Sequence, residues 1–330
     1  MRAILGLVLT LSAISNAEAA TAEQPNPPGD SSSTSASSTT DGLGQQDTIK
    51  IASDQNKEQA TQQLLASKNA LDRKLGHMFE ASDNPFVLFP YEENYLLYTY
   101  DPDLTSNHYD YLDKEQVDKF DKHEVKFQFS IMFPLVRGIV GDNSVLAASY
   151  TQLSLWQAFN SKISSPFRET NYEPQLFLAW LTNYHFGGWT LRETEFGFNH
   201  QSNGRGIPRS RSWNRIYADI TAVKGNWAIS FKPWWRIPES RDNDDNPDIT
   251  HYIGYYRVKA GYAYGKSTFT SEFHYNWNTS RGSVQVGWSH PILHHVRVYA
   301  QIFTGYGETL IDYNNSDTRF GLGIMLNDML

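Results

Sequence analysis

The chain has no cysteine in its 330 residues, which excludes disulfides and thiolate metal sites and is compatible with an oxidising envelope compartment. It has no basic run, and its formal net charge is −8. It therefore lacks the cationic face with which a general nucleic-acid binder neutralises phosphates, and no nucleic-acid partner is expected. Beyond Asp83 it also lacks an apolar run approaching the roughly 20 residues of a membrane-spanning helix. It is instead rich in aromatics, with nine Trp, 19 Tyr and 18 Phe in a chain of negative mean hydropathy. That pairing is unusual for a soluble enzyme.

The first residues, MRAILGLVLTLSAISNAEAA, combine one arginine, an apolar run from Ala3 to Ile14 and small residues at Ala17 and Ala19. This pattern predicts a secretory signal peptide over 1–19, cleaved after Ala19. From Ala20 to about Gln46 the chain is Ser, Thr, Pro, Gly and Asp with little to bury, so it cannot offset its ordering entropy. Residues 20–78 are expected to be a disordered Ser/Thr-rich and polar linker, in which NKEQATQQLLASKNALDRKLGHMFEAS has the composition of a polar helix. The folded domain is expected over 79–330, with ordered structure beginning near DNPFVLFPY at Asp83.

Alternating segments recur beyond that point, separated by turn-like clusters. In VKFQFSIMF, Val125, Phe127, Phe129, Ile131 and Phe133 share one parity, while Lys126, Gln128 and Ser130 take the other. Twelve such segments fall at 94–100, 125–136, 144–157, 174–184, 189–202, 212–223, 226–236, 250–264, 267–277, 282–290, 294–306 and 318–328. An even count of antiparallel strands, short turns at one end and longer loops at the other predict an all-β fold, a twelve-stranded transmembrane β-barrel of the outer membrane. Closure leaves no unpaired strand edge in lipid. Trp156, Trp189, Trp213, Trp234, Trp235 and Trp277, near strand ends, are expected in interfacial girdles.

Charge sets the facing of the fifth and sixth segments. Glu193, Glu195, Asn199 and Gln201 share a parity that must face a polar lumen, because a carboxylate in lipid is costly. Phe196, Phe198, His200 and Ser202 then face outward. By the same rule Arg215 and Asp219 point inward, and Asn214 and Ile216 outward. If the 203–211 loop closes a simple hairpin, His200 lies opposite Asn214, with Cβ atoms about 4.5–5.5 Å apart. Ser202 follows two residues along on the same face. A serine hydroxyl becomes a nucleophile when an imidazole takes its proton, and a third group must fix the imidazole's other nitrogen. Asn214 is a neutral candidate for that role. A nucleophile on the outer wall reaches a substrate lying in the membrane, a lipid ester. The alternatives are a passive pore or lipid-binding barrel whose polar strip is inert, and an adhesin acting through the long 101–124 and 158–173 loops.

The motifs H-x-S-N-G-R from His200, S-R-S-W-N-R from Ser210, YTQ, SSPFRETNYEPQLFL, NDDNPDIT, HYNWNT, GYGETLIDYN and MLNDML together resemble the outer-membrane phospholipase A family. The resemblance runs from Asp83 to the C-terminus and does not include the Ser-rich region. It implies a calcium-dependent barrel, activated by homodimerisation, that hydrolyses phospholipid acyl esters (A1, A2 and lysophospholipase activity). Ser202 would be the nucleophile, His200 the general base and acid, Asn214 the orienter and Gly204 an oxyanion donor. Calcium would be held by the Arg205 carbonyl, the Ser210 hydroxyl, Ser164 from the partner and, in a longer loop than the family's, Asp245. Hard oxygen ligands suit that ion. Ile207 stands where some members carry an aspartate assigned to a second calcium site. Gln152 would be the lipid-side glutamine that pairs with its twin across a two-fold dimer interface.

Overall fold

A computed structural model describes residues 58–59, 61–81, 87–104, 120–240, 242, 244–293 and 295–330. The expected signal peptide, the Ser-rich stretch and Asp83 lie outside these residues.

Among the described residues twelve long antiparallel strands form a closed ring: β2 (Asn94–Tyr100), β3 (His123–Arg137), β4 (Ser144–Trp156), β5 (Phe167–Phe186), β6 (Trp189–Ser202), β7 (Ser212–Lys224), β8 (Trp227–Arg236), β9 (Tyr256–Tyr264), β10 (Ser267–Asn276), β11 (Arg281–Leu293), β12 (Val296–Tyr306) and β13 (Ser316–Asn327). Neighbours in sequence pair throughout, and β13 pairs back onto β2, with Leu322 opposite Tyr98. The two-residue β1 (Phe89–Pro90) adds to β3. Closure leaves no open sheet edge among the twelve strands, which lipid demands. Links at one end are as short as the two-residue turns at 187–188, 225–226 and 265–266. The opposite end carries the longer connections at 157–166, 203–211, 237–255 and 307–315.

Alternation decides what each strand shows to either side. Leu96, Phe129, Leu176, Phe196, Phe198, Phe231, Phe269, Ile302 and Leu322 form an exposed apolar belt around the outside. Lys126, Glu124, Gln175, Asn199, Arg215 and Lys232 are buried inside. A continuous belt of this kind marks a membrane surface.

Ion pairs cross the lumen. Arg319 bonds Glu308 at 2.7 Å, Asp101 at 2.8 Å and Glu124 at 2.9 Å, while Arg168 reaches Glu124 at 2.8 Å and Asp312 at 2.7 Å. Near the site, Arg215 contacts Asn199 at 2.9 Å and Glu173 at 3.2 Å. Such buried charges persist only when paired.

The structure corrects three local expectations. The stretch before Asp83 is not wholly linker: helix α1 (Ala70–Ala81) packs Leu71 and Leu75 against Val223 and Ala228. Asn69 starts the helix, its Oδ1 accepting the amides of Leu71 and Asp72, and its Nδ2 donates to the Gly225 carbonyl at 2.7 Å. Asp72 meets the Arg192 guanidinium with both oxygens, at 2.7 and 2.9 Å. In the segment expected as a strand from 250, Ile249–Ile253 forms a short helix, α2, ended by Gly254 at φ +76°. Strand β9 begins only at Tyr256. Finally, Trp213 and Trp234 are buried in the lumen rather than in a girdle, because they share the parity of Arg215 and Lys232. The Arg215 guanidinium stacks 4.1 Å from the Trp213 ring centre.

Candidate active site

Strands β6 and β7 have the register expected from the hairpin, with His200 opposite Asn214 and Ser202 opposite Ser212. The facing is also as charge requires. Phe196 and Phe198 are exposed on the outside, and Glu195, Asn199 and Arg215 are buried inside. His200, Ser202 and Asn214 are half-buried on the outer wall, at the long-loop end of the barrel. His200 Nδ1 lies 2.8 Å from Asn214 Oδ1. Since Oδ1 can only accept, Nδ1 carries the proton, and Nε2 keeps the lone pair a base needs.

The connecting loop is wound around one side chain that the sequence did not single out. Asn203, buried behind Ser202, accepts the amides of Arg205 at 3.3 Å and Arg211 at 3.0 Å, and donates to the Arg209 carbonyl at 2.8 Å. Asparagine favours such turns, and that local chemistry was the available signal. The loop is also fastened to β5: Arg205 donates to the carbonyls of Phe167 at 3.2 Å and Arg168 at 2.7 Å and pairs with Glu169 at 3.3 Å. Gly204 has φ +64°, and a Cβ there would lie 3.2 Å from the Tyr172 ring. Tyr172 in turn stands opposite Ser202 on β5. That neighbour could not be read from sequence, because the β5–β6 register shifts at Leu181/Tyr184.

The oxygen donors assigned to calcium come together in part. The Ser210 hydroxyl donates to the Asp245 carboxylate, joining the 203–211 loop to the β8–β9 connection. The same connection is held by Asn246, whose Oδ1 accepts the Ser212 amide at 3.0 Å, and by Arg236, which bonds Asp244 at 2.6 Å. A hydroxyl beside a carboxylate in a hard-oxygen set fits calcium. Ser164 is exposed, ending a 3-10 turn in the left-handed region at φ 61°. Among the described residues it makes no hydrogen bond to the 203–211 loop. Ile207 is 87% exposed, offering no ligand atom but its backbone.

On β4, the inward Ala147, Ser149 and Thr151 are buried, which puts Gln152 on the outer face. Its amide accepts from the Tyr150 hydroxyl at 3.1 Å and donates to Ser154 Oγ at 3.2 Å. Over the lumen, burial raises the carboxyl of Glu308, but Arg319 and Lys126 outweigh it and hold the group at about 2. Burial and the bond to Asp248 push the Tyr313 phenol upward.

Fold and site together define an outer-membrane β-barrel with His200, Ser202 and Asn214 grouped on its lipid-facing wall. The phospholipase A1 family pattern matches residues 71–326, and the chain belongs to that family. It is 55% identical over 261 residues to the phospholipase A1 of Klebsiella pneumoniae, covering 77% of this chain and 87% of that relative. Its fold matches the outer membrane phospholipase dimer of Salmonella typhi, solved with bound calcium, at a TM-score of 0.71 and 55% identity, over 75% of this chain and 94% of that one. An active-site asparagine-to-alanine mutant of the Escherichia coli outer membrane phospholipase A matches at a TM-score of 0.71 and 50% identity, over 82% of this chain and 98% of that one.

Proposed function

We propose that this enzyme hydrolyses phospholipid acyl esters in the outer membrane, with phospholipase A1, A2 and lysophospholipase activity, as a calcium-dependent homodimer. The observation that carries the reading is the His200 Nδ1–Asn214 Oδ1 contact of 2.8 Å, on the outer wall of a barrel, with Ser202 two residues along the same face. The relatives' names, the calcium-bound dimer and the mutated active-site asparagine support it.

The chemistry follows the Ser-His template. Ser202 Oγ attacks the ester carbonyl as His200 Nε2 takes its proton. The oxyanion that forms lies toward the Gly204 amide, and Asn214 Oδ1 holds the imidazolium through Nδ1. His200 then protonates the departing glycerol oxygen, leaving an acyl group on Ser202. Water, deprotonated by His200, releases the fatty acid and restores the hydroxyl. The Arg205 carbonyl, Ser210, Asp245 and the partner's equivalent of Ser164 would hold calcium, which when bound would supply positive charge near the developing oxyanion. Gln152 pairs with its twin in the lipid-side interface, where an amide gains by finding a polar partner. The ion-paired lumen suits an enzyme working on its outer wall better than a passive pore.

Fatty-acid release from phospholipid in detergent micelles tests this, comparing wild type with Ser202→Ala, each with calcium and with chelator. Release confined to wild type with calcium is expected. Equal rates for the serine variant, or liposome swelling without hydrolysis, would return the protein to the pore class.

A further inference from the structure

Asn214 is a neutral residue in a position where many serine hydrolases place a carboxylate, and a neutral acceptor stabilises an imidazolium less. The structure shows what stands behind it. Asn214 Nδ2 donates to Glu239 Oε1 at 3.2 Å. Glu239 lies in the connection after β8, fixed there because the Ile237 amide donates to the Asn214 carbonyl at 2.8 Å. Asn246 and Arg236 tie down the rest of that connection through Ser212 and Asp244. Glu239 is half-buried, and among the described residues no cation pairs with it. The contact with Asn214 is its one hydrogen bond among the described residues.

Resting on the hydrolase reading above, we propose that Glu239 is a positioning residue that completes the Ser202–His200–Asn214 array as its fourth member. Two physical consequences follow. A carboxylate accepts hydrogen bonds and cannot donate, so beside Glu239 the asparagine amide can present only Nδ2. That turns Oδ1 toward His200 Nδ1 and fixes the imidazole tautomer with the lone pair on Nε2. The carboxylate also polarises the amide, so negative charge reaches the imidazolium through Asn214 without a second ion against the ring. Asn214 and Glu239 together thus take the place of one buried aspartate. The arrangement also accounts for the neutral residue at 214: an aspartate there would meet Glu239 carboxylate to carboxylate, at hydrogen-bonding distance.

The test uses the full-length enzyme in micelles, with kcat and KM measured for wild type, Ser202→Ala, Glu239→Ala, Glu239→Gln, Asn214→Asp and the double variant Asn214→Asp/Glu239→Gln. Loss of the partner that orients a metal-binding histidine costs about 10- to 100-fold, and the lower end of that range is the scale taken for a partner one residue further back. Glu239→Ala is therefore expected to lose about that much in kcat with KM unchanged, and Glu239→Gln, which keeps an acceptor, to lose less. Asn214→Asp is expected to be poorly active alone and to regain activity in the double variant, where the glutamine amide donates to the aspartate. Wild-type kcat in Glu239→Ala, or equal activity of Asn214→Asp with and without Glu239→Gln, would overturn the proposal. If Glu239→Ala does not fold, as judged by heat-modifiable gel mobility, the comparison of Asn214→Asp with the double variant decides alone. Failure of the hydrolase reading shows separately, as wild type without activity or Ser202→Ala equal to it.

Discussion

Across the β6–β7 ladder, His200 and Asn214 are exact register partners and also hydrogen-bonded partners, Nδ1 to Oδ1 at 2.8 Å, on the side of the sheet that faces lipid. The barrel wall itself is thus the scaffold of the site. Strand pairing fixes the spacing of His200 and Asn214, and the pleat places Ser202 two residues along from His200 on the same face without a loop having to close. Sites on regular elements are held more tightly than sites on loops.

The triad variants should therefore separate by role. Ser202→Ala removes the attacking atom, and hydrolysis should fall to background with the protein still folded. His200→Ala should lose the general base and acid, a contribution on the order of 10²- to 10⁴-fold. Asn214→Ala should lose less, because the imidazole remains present and only its tautomer and orientation are freed. Micelle assays with a chromogenic ester rank the three, and an Asn214→Ala loss larger than that of His200→Ala would contradict the assignment.

Gly204 should tolerate no side chain without loss of activity. At φ +64° an alanine costs about 1–2 kcal/mol in backbone strain. Its Cβ would also press on Tyr172 at 3.2 Å, beside Ser202. If the Gly204 amide serves the oxyanion as proposed, Gly204→Ala should fold and bind substrate but show lowered kcat, because the backbone there shifts. An unchanged kcat would remove Gly204 from the oxyanion role.

The fold was readable from sequence where the physics was periodic, and lost where it was not. A carboxylate cannot face lipid cheaply, so Glu193 and Glu195, with Asn199 and Gln201, set the direction of His200, and Arg215 and Asp219 set that of Asn214. The expected strand from 250 begins in a helix, Ile249–Ile253, because apolar Tyr252 and Ile253 suit either element, and only the Asp248 and Gly254 ends separate the two. Trp213 and Trp234 lie near strand ends, where an aromatic suits an interfacial girdle, but their parity turns both into the lumen. Docking of Leu71 and Asp72, and the reach of Glu239 to Asn214, depend on contacts across |i−j| of 25 or more that no local pattern encodes.

The Ser210 and Asp245 oxygens should set the calcium requirement. Asp245→Asn and Ser210→Ala remove a charge and a donor atom from an already carboxylate-poor set, so each should raise the free calcium needed for half-maximal hydrolysis. Each should recover much of its rate at high calcium, which loss of a purely structural contact would not allow. Calcium titration of fatty-acid release reads this directly, and identical curves for wild type and Asp245→Asn would remove that residue from the site.

Acid should loosen the barrel's long-loop end through Glu308. Burial raises its carboxyl, but Lys126 at 2.9 Å and Arg319 at 2.7 Å pull it down to about 2, below the ordinary glutamate value of about 4.3. A carboxyl depressed in the folded state stabilises fully above its unfolded value, and that contribution declines as pH falls from about 4.3 through about 2. The part of the stability that Glu308 supplies should therefore hold down to about pH 4 and be lost progressively below, as followed by thermal unfolding of the heat-modifiable form of wild type beside Glu308→Gln. Glu308→Gln should remove this part of the acid dependence. At pH 7 it should be less stable than wild type, because Lys126 and Arg319 then keep buried charge without their shared partner. A Glu308→Gln protein with wild-type stability at pH 7 and the same acid profile would mean that Glu124 and Asp101 suffice to balance Arg319.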